Sequence, residues 1–229
     1  MIMRGKLIVI EGTDCSGKET QGKLLIQHLK DHGIKAEIFS FPNYDSPTGK
    51  IIGGPFLGKA AICDGWFPEG AVQVEPKVVS LYYAADRRYN LPKIEEKLDQ
   101  GISLILDRYV YSNMAYQASK IEDTNERMNM YAWLDILEFK LLELPKPDIT
   151  LFLHMPSDCA KKLKGSRKEA PDQIERDEEY LKKAENSYIE LSSVYKWKTV
   201  ECAQQGRIKT IEEIGDEVLQ IVLDKIKNA

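Results

Sequence analysis

The sequence predicts one α/β domain, a three-layer sandwich in which helices flank a five-stranded, mostly parallel sheet. Three observations predict it. Five short apolar runs alternate with longer stretches of helical periodicity along the 229 residues. A glycine-rich loop joins the first run directly to the first helical stretch. No repeat or low-complexity linker divides the chain, so a single domain covers residues 1–229.

The first strand is Lys6-Leu7-Ile8-Val9-Ile10-Glu11. It is rich in β-branched residues and apolar enough to be buried on both faces, as parallel strands are. Gly12-Thr13-Asp14-Cys15-Ser16-Gly17-Lys18 follows and fits G-x-x-x-x-G-K, a phosphate loop (P-loop). Its glycines permit backbone angles that a Cβ would block. Its amides face inward as an anion nest, and the next helix adds its N-terminal donors. Lys18 supplies a mobile charge for β- and γ-phosphates. Leu24, Leu25, Ile26 and Leu29 mark that helix, which ends at Gly33. The motif calls for Ser or Thr after the lysine, to bind Mg²⁺. This chain has Glu19 there and Thr20 one place on, about 100° around the helix. Glu19 either holds the metal, directly or through water, or stands solvated.

A second strand covers 36–41 and ends at Pro42. Residues 43–70 are rich in Gly, Pro and Asp, with a short helix expected within 48–57. Trp66 and Phe67 either line a pocket or, more commonly for such residues, pack in the core. A long helix covers about 74–98, with a break expected near Pro92. Tyr83 and Arg87, four apart, share one helical face. That face would either hold a flat base or lie on the surface, and spacing alone favours the surface.

The third strand, 101–107, ends in Asp107. An apolar strand closed by an acid holds Mg²⁺ near a triphosphate when it follows a phosphate loop. Arg108 then emerges at the carboxyl end of the sheet, where open α/β sheets bind ligands. Ser112, Asn113, Tyr116 and Gln117 form a polar-aromatic mix suited to reading a base. Further elements are expected as a helix at 126–144, a strand at 147–153 and a helix at 157–164. A helix at 177–195, a strand at 198–202 and a closing helix at 208–226 complete the chain. The basic run at 161–168 is interrupted by Gly165 and followed by acids at 172–179. Such charge runs are usually solvated. After a phosphate loop, the stretch 161–178 also reads as a lid that delivers cations to a transferring phosphoryl group.

The formal net charge of −4 argues against a nucleic-acid binder relying on bulk positive charge, though a local basic pocket remains compatible with it. Cys15, Cys63, Cys159 and Cys202 form no C-x-x-C pair, which suits a reducing cytoplasm. His28, His32 and His154 are unclustered. The N-terminus leaves no room for a signal peptide, and no apolar run is long enough to span a membrane.

The phosphate loop Gly12–Lys18, Phe41-Pro42, the Tyr83…Arg87 pair and Asp107-Arg108-Tyr109 followed by Ser112, Asn113 and Tyr116 together resemble the thymidylate kinases. The resemblance covers nearly the whole chain. It implies a nucleoside-monophosphate-kinase fold, a homodimer, and transfer of the γ-phosphoryl of ATP to dTMP with Mg²⁺. It also implies roles. Gly12, Thr13, Asp14, Cys15, Ser16, Gly17, Lys18, Glu19 and Thr20 would bind ATP, with Asp14 also facing the acceptor. Tyr83 would stack on thymine and Arg87 would hydrogen-bond it. Phe41 would border the thymine pocket, and Asn113 would meet the base edge beside Ser112. Tyr116 would lie beneath the deoxyribose, Arg108 on the acceptor phosphate, and Asp107 near the metal. Some members carry an arginine in the loop after the acid; here Cys15 stands there, which moves the expected catalytic cation to Arg167 in the lid, with Arg176 second. The family often has an arginine after Phe-Pro touching the acceptor phosphate, and this chain has Asn43, so one cation on that phosphate is missing unless Lys50 or another residue replaces it.

Two rival readings start from the same residues. One is a kinase of this fold with another deoxynucleotide or deoxynucleoside as acceptor. The other is a nucleotide-dependent switch, disfavoured because no N-K-x-D base-reading motif is present.

Overall fold

The computed structural model describes residues 3–164, 174 and 176–227. Five parallel strands, β1 (Leu7–Glu11), β2 (Ala36–Ser40), β3 (Ser103–Asp107), β4 (Ile149–His154) and β5 (Lys198–Glu201), form one sheet in the order β2-β3-β1-β4-β5. β1 is therefore central, pairing with β3 from Leu7 opposite Leu104 and with β4 from Ile8 opposite Ile149.

Strand side chains alternate between faces, and the three layers follow from that period. Leu7, Val9, Leu104, Leu106 and Phe152 join one buried cluster, while Ile8, Ile10, Ile105, Leu151 and Leu153 join the other. The first face is covered by α3 (Pro76–Asp99), α4 (Val110–Ala118), α5 (Thr124–Asp135) and α7 (Glu178–Val194). The second is covered by α1 (Lys18–Asp31) and α8 (Ile211–Lys227), with α6 (Ser157–Lys164) beside it. α2 (Pro47–Ile51) runs into a π turn at Ile52–Phe56, and α5 into another at Ile136–Leu141.

The helix starts are set by local chemistry. Glu75 caps α3 on Val78 N–H at 2.8 Å, with Pro76 in the first turn. Thr210 and Glu213 form a reciprocal capping box for α8, at 3.1 and 2.7 Å.

Three sequence expectations need correction. α3 continues through Pro92 without a break; the missing N–H costs one backbone bond, and the packing of Leu91, Ile94 and Leu98 against the sheet maintains the helix. Trp66 is 75% exposed rather than core, while Phe67 packs edge-on against Phe56 at 5.9 Å. Residues 110–118 form a helix that periodicity did not reveal. All nine of its residues are buried, so it carries no polar stripe for a 3.6-residue pattern to show. A two-residue hairpin, β6 (Ala203–Gln204) with β7 (Arg207–Ile208), also lies below the length that a sequence pattern can mark.

Candidate active site

The phosphate loop lies at the carboxyl end of β1. A Cβ on Gly12 would fall 2.7 Å from the carbonyl oxygen of Leu153, and Gly17 takes φ 83° immediately before α1. Lys18 folds back over the loop, its ammonium donating to the Thr13 carbonyl at 2.8 Å. Burial, reinforced by the nearby charge of Arg108, lowers its pKa to about 8.

Two recesses open beside this loop. The first is a charged cleft lined by Cys15, Lys18, Glu19, Thr20 and Asp107, together with Asp14 and Arg108. Asp107 Oδ1 is buried there with no hydrogen-bond partner among the described residues. Such an oxygen is costly to leave unmatched, and hard divalent cations take carboxylate oxygens. Asp107 thus fits Mg²⁺. Glu19 points outward, 69% exposed, and pairs with Lys23 at 2.5 Å.

The second recess is an aromatic pocket. Phe41, Tyr83, Arg87, Arg108, Ser112, Asn113 and Tyr116, scattered over 76 positions of sequence, all line it, and Asp14 joins them. Phe41 precedes a cis peptide to Pro42. Tyr83 meets Phe56 edge-on, with centroids 6.1 Å apart. Asp14 and Arg108 line both recesses, so the two meet at this pair.

Arg108 is held from several sides. Its φ is +67°, a region that non-glycine residues rarely adopt. One terminal nitrogen donates to Gly12 O at 3.1 Å, Tyr188 Oη at 3.2 Å and Ser112 Oγ at 3.3 Å. The other donates to Asp14 at 2.5 Å. Tyr116 lies beneath the guanidinium, 5.3 Å from its ring centroid, and donates its hydroxyl to Asp14 at 3.1 Å. Burial works against the charge of Arg108, but Tyr116 and Asp14 outweigh it and keep the group well above its ordinary value.

The family model for thymidylate kinase matches residues 10–214. The chain belongs to the thymidylate kinase family. It is 30% identical to thymidylate kinase of Schizosaccharomyces pombe, over 96% of this chain and 92% of that one. It is 31% identical to a probable thymidylate kinase of Pyrococcus horikoshii, over 96% and 97%. The solved thymidylate kinase of Candida albicans superposes with a TM-score of 0.74 at 26% identity, over 99% of this chain and 94% of that one.

Within this thymidylate kinase fold, Arg87 is not the surface residue that helical spacing favoured. It is 1% exposed, and Glu138 takes its Nε and one terminal nitrogen, the latter at 2.7 Å. The other terminal nitrogen donates to Tyr109 O at 3.3 Å. Asn113 donates to the same Glu138 at 3.0 Å and to Ser80 O at 3.2 Å. Among the described residues its amide oxygen has no hydrogen-bond partner, nor has that of Gln117 in the same pocket wall.

Sequence reasoning missed the residues behind the first contacts. Glu11 is fully buried and accepts from Tyr109 N at 2.9 Å, Ser112 N at 3.1 Å, Ser112 Oγ at 2.5 Å and Tyr188 Oη at 3.1 Å. It seats the start of α4 and therefore Arg108 beside it. Burial pushes its carboxyl above the ordinary range, partly offset by the Ser112 bond. An acid closing an apolar strand was a visible signal; Glu138 and Tyr188 gave none. Arg167 and residues 165–173 of the expected lid lie outside the described residues. Arg176 is exposed in a turn.

Proposed function

We propose that the aromatic pocket holds dTMP and the charged cleft holds ATP. The chain is an ATP-dependent kinase that moves the γ-phosphoryl group to dTMP, giving dTDP. The sharing of Asp14 and Arg108 by both recesses carries the reading, because it brings acceptor phosphate and γ-phosphate to one point.

The loop amides and Lys18 bind the ATP phosphates. Phe41 and Tyr83 enclose the thymine ring, Arg87 and Asn113 face its edge, and Tyr116 lies beneath the sugar. Arg108 grips the acceptor phosphate while Asp14 and Tyr116 hold its guanidinium in place. A phosphate monoester oxygen is already a competent nucleophile at neutral pH. The residues therefore align the partners and neutralise charge without a general base. Asp107 would hold Mg²⁺, with Glu19 and Thr20 lining the same cleft; when bound, the ion would supply charge neutralisation to the transferring phosphoryl group. Arg167 in the lid completes the reading as the cation on the transferring group.

A homodimer belongs to the same reading. Val78, Leu81 and Tyr89 on α3 are exposed apolar side chains that a second copy would cover. Among the described residues no helix is long and apolar enough to cross a membrane. The four free cysteines suit a cytoplasmic protein.

ADP release measured with a panel of nucleoside monophosphates, with and without Mg²⁺, tests the proposal. dTMP should give the highest kcat/KM. Equal ADP release with no acceptor would refute it, and turnover of thymidine instead of dTMP would favour the deoxynucleoside alternative. Arg167→Ala should lower kcat with little change in dTMP binding.

A further inference from the structure

Arg108 stands where the two recesses meet, and its aim depends on a group that lines neither. Glu11 has no exposed surface and is absent from both linings. Its two carboxylate oxygens divide four donors by kind. Oε1 accepts from the backbone amides of Tyr109 at 2.9 Å and Ser112 at 3.1 Å. Oε2 accepts from two hydroxyls, Ser112 Oγ at 2.5 Å and Tyr188 Oη at 3.1 Å.

The amide pair caps α4. Tyr109, at the N-cap position, offers no side-chain acceptor, so β1 supplies one from 98 positions away. A carboxylate suits that end of a helix. The hydroxyl pair reaches Arg108. Ser112 Oγ and Tyr188 Oη both accept from the same terminal nitrogen of Arg108, at 3.3 and 3.2 Å, and lie 2.7 Å from each other. Tyr188 is held there by stacking on Phe152, with centroids 5.5 Å apart and planes at 14°.

The direction of these bonds is fixed by their ends. A guanidinium only donates, an ionised carboxylate only accepts, and each hydroxyl has one proton. Both protons therefore run toward Glu11, directly or through the other hydroxyl, and lone pairs face Arg108. Reversing the pair would set donors against the guanidinium.

We propose that Glu11 is a positioning residue for phosphoryl transfer: its carboxylate sets the direction of the Ser112–Tyr188 hydroxyl pair and so keeps Arg108 aimed at the acceptor phosphate. This rests on reading Arg108 as the residue that grips that phosphate. Glu11 touches no substrate and exchanges no proton in the transfer.

Glu11→Gln tests direction rather than size. A glutamine of the same shape must turn its NH₂ either to the two amides or to the two hydroxyls, and each choice opposes donors. Calorimetric titration of the full chain with dTMP and with thymidine compares wild type, Glu11→Gln and Tyr188→Phe. Glu11→Gln should weaken dTMP binding by roughly tenfold or more, the range for hydrogen bonds to a charged group. Thymidine, which lacks the phosphate, should change by no more than about twofold, as should KM for ATP in turnover. Tyr188→Phe should show the same selective loss at roughly threefold, and it decides the matter if Glu11→Gln does not fold. Unchanged dTMP affinity in the folded variants would overturn the proposal. Equal losses for dTMP and thymidine would also overturn it, by making Glu11 a structural residue only. Wild-type protein that binds neither ligand, or binds thymidine as tightly as dTMP, would instead refute the acceptor-phosphate reading, and with it this inference.

Discussion

Two arginines line one pocket and are held in opposite ways. Arg87 is buried to 1% exposure and is gripped bidentately by a carboxylate with no exposure at all. Arg108 keeps 18% of its side chain accessible and divides its bonds among a backbone carbonyl, three hydroxyls and Asp14. The first arrangement gives one deep, dry ion pair that organises α3, α4 and the π turn after α5. The second gives a pre-aimed charge with several replaceable ties, at a positive φ that points it between two recesses. A fixed ion pair can shape a base pocket; a group that must exchange partners for a phosphate needs the looser setting.

The comparison can be broken most decisively at Glu138. Glu138→Ala leaves the Arg87 charge buried and unpaired, which should cost about 3–5 kcal/mol and lower Tm by roughly 10 °C in thermal unfolding. A loss below about 1 kcal/mol would mean the pair is not the strut described. Next comes Arg108→Ala. It should reduce kcat/KM about 10²–10³-fold in the coupled ADP assay while shifting Tm far less than Glu138→Ala. The reverse ordering of the two variants would erase the distinction.

A smaller effect follows from Lys18. Its pKa is lowered to about 8 by burial and Arg108, so the charged form that grips phosphate is dominant below pH 8 and is lost above it. ATP affinity measured by titration should therefore weaken by about tenfold per pH unit beyond 8, rather than near the ordinary lysine value. Flat affinity up to pH 10 would show that Lys18 is not held this way. The smallest change is Tyr188→Phe. Tyr188 Oη links Ser112, Glu11 and Arg108 at 2.7, 3.1 and 3.2 Å. Its loss should cost about 0.5–1.5 kcal/mol of stability and modestly loosen Arg108, seen as a higher KM for dTMP.

Much of the site was legible because its parts are local. The loop 12–18 carries its own glycines, lysine and flanking strand and helix. Asp107-Arg108 declares itself by ending an apolar strand. The strands were readable as apolar runs, although Ser40 and Glu201 end two of them a residue earlier than expected. Tyr83 and Arg87 were found as a pair, yet spacing assigned them to the surface. What reverses that is Glu138, 51 positions away, which no local pattern connects to α3. α4 stayed hidden for a related reason: a helix wrapped on every side by protein shows no amphipathic period.

The sequence by itself determined the α/β architecture, the phosphate loop, the strand-terminal Asp107-Arg108 and the family, since each of these is written within a few turns or strands of chain. Only the tertiary structure decided which charges stand together. It set Glu138 behind Arg87, Glu11 and Tyr188 behind Ser112, Asp14 against Arg108, and Lys59 over Tyr44 at the pocket wall. Those pairings depend on crossover connections and on the desolvation that burial imposes, and neither is encoded in the spacing of residues along the chain.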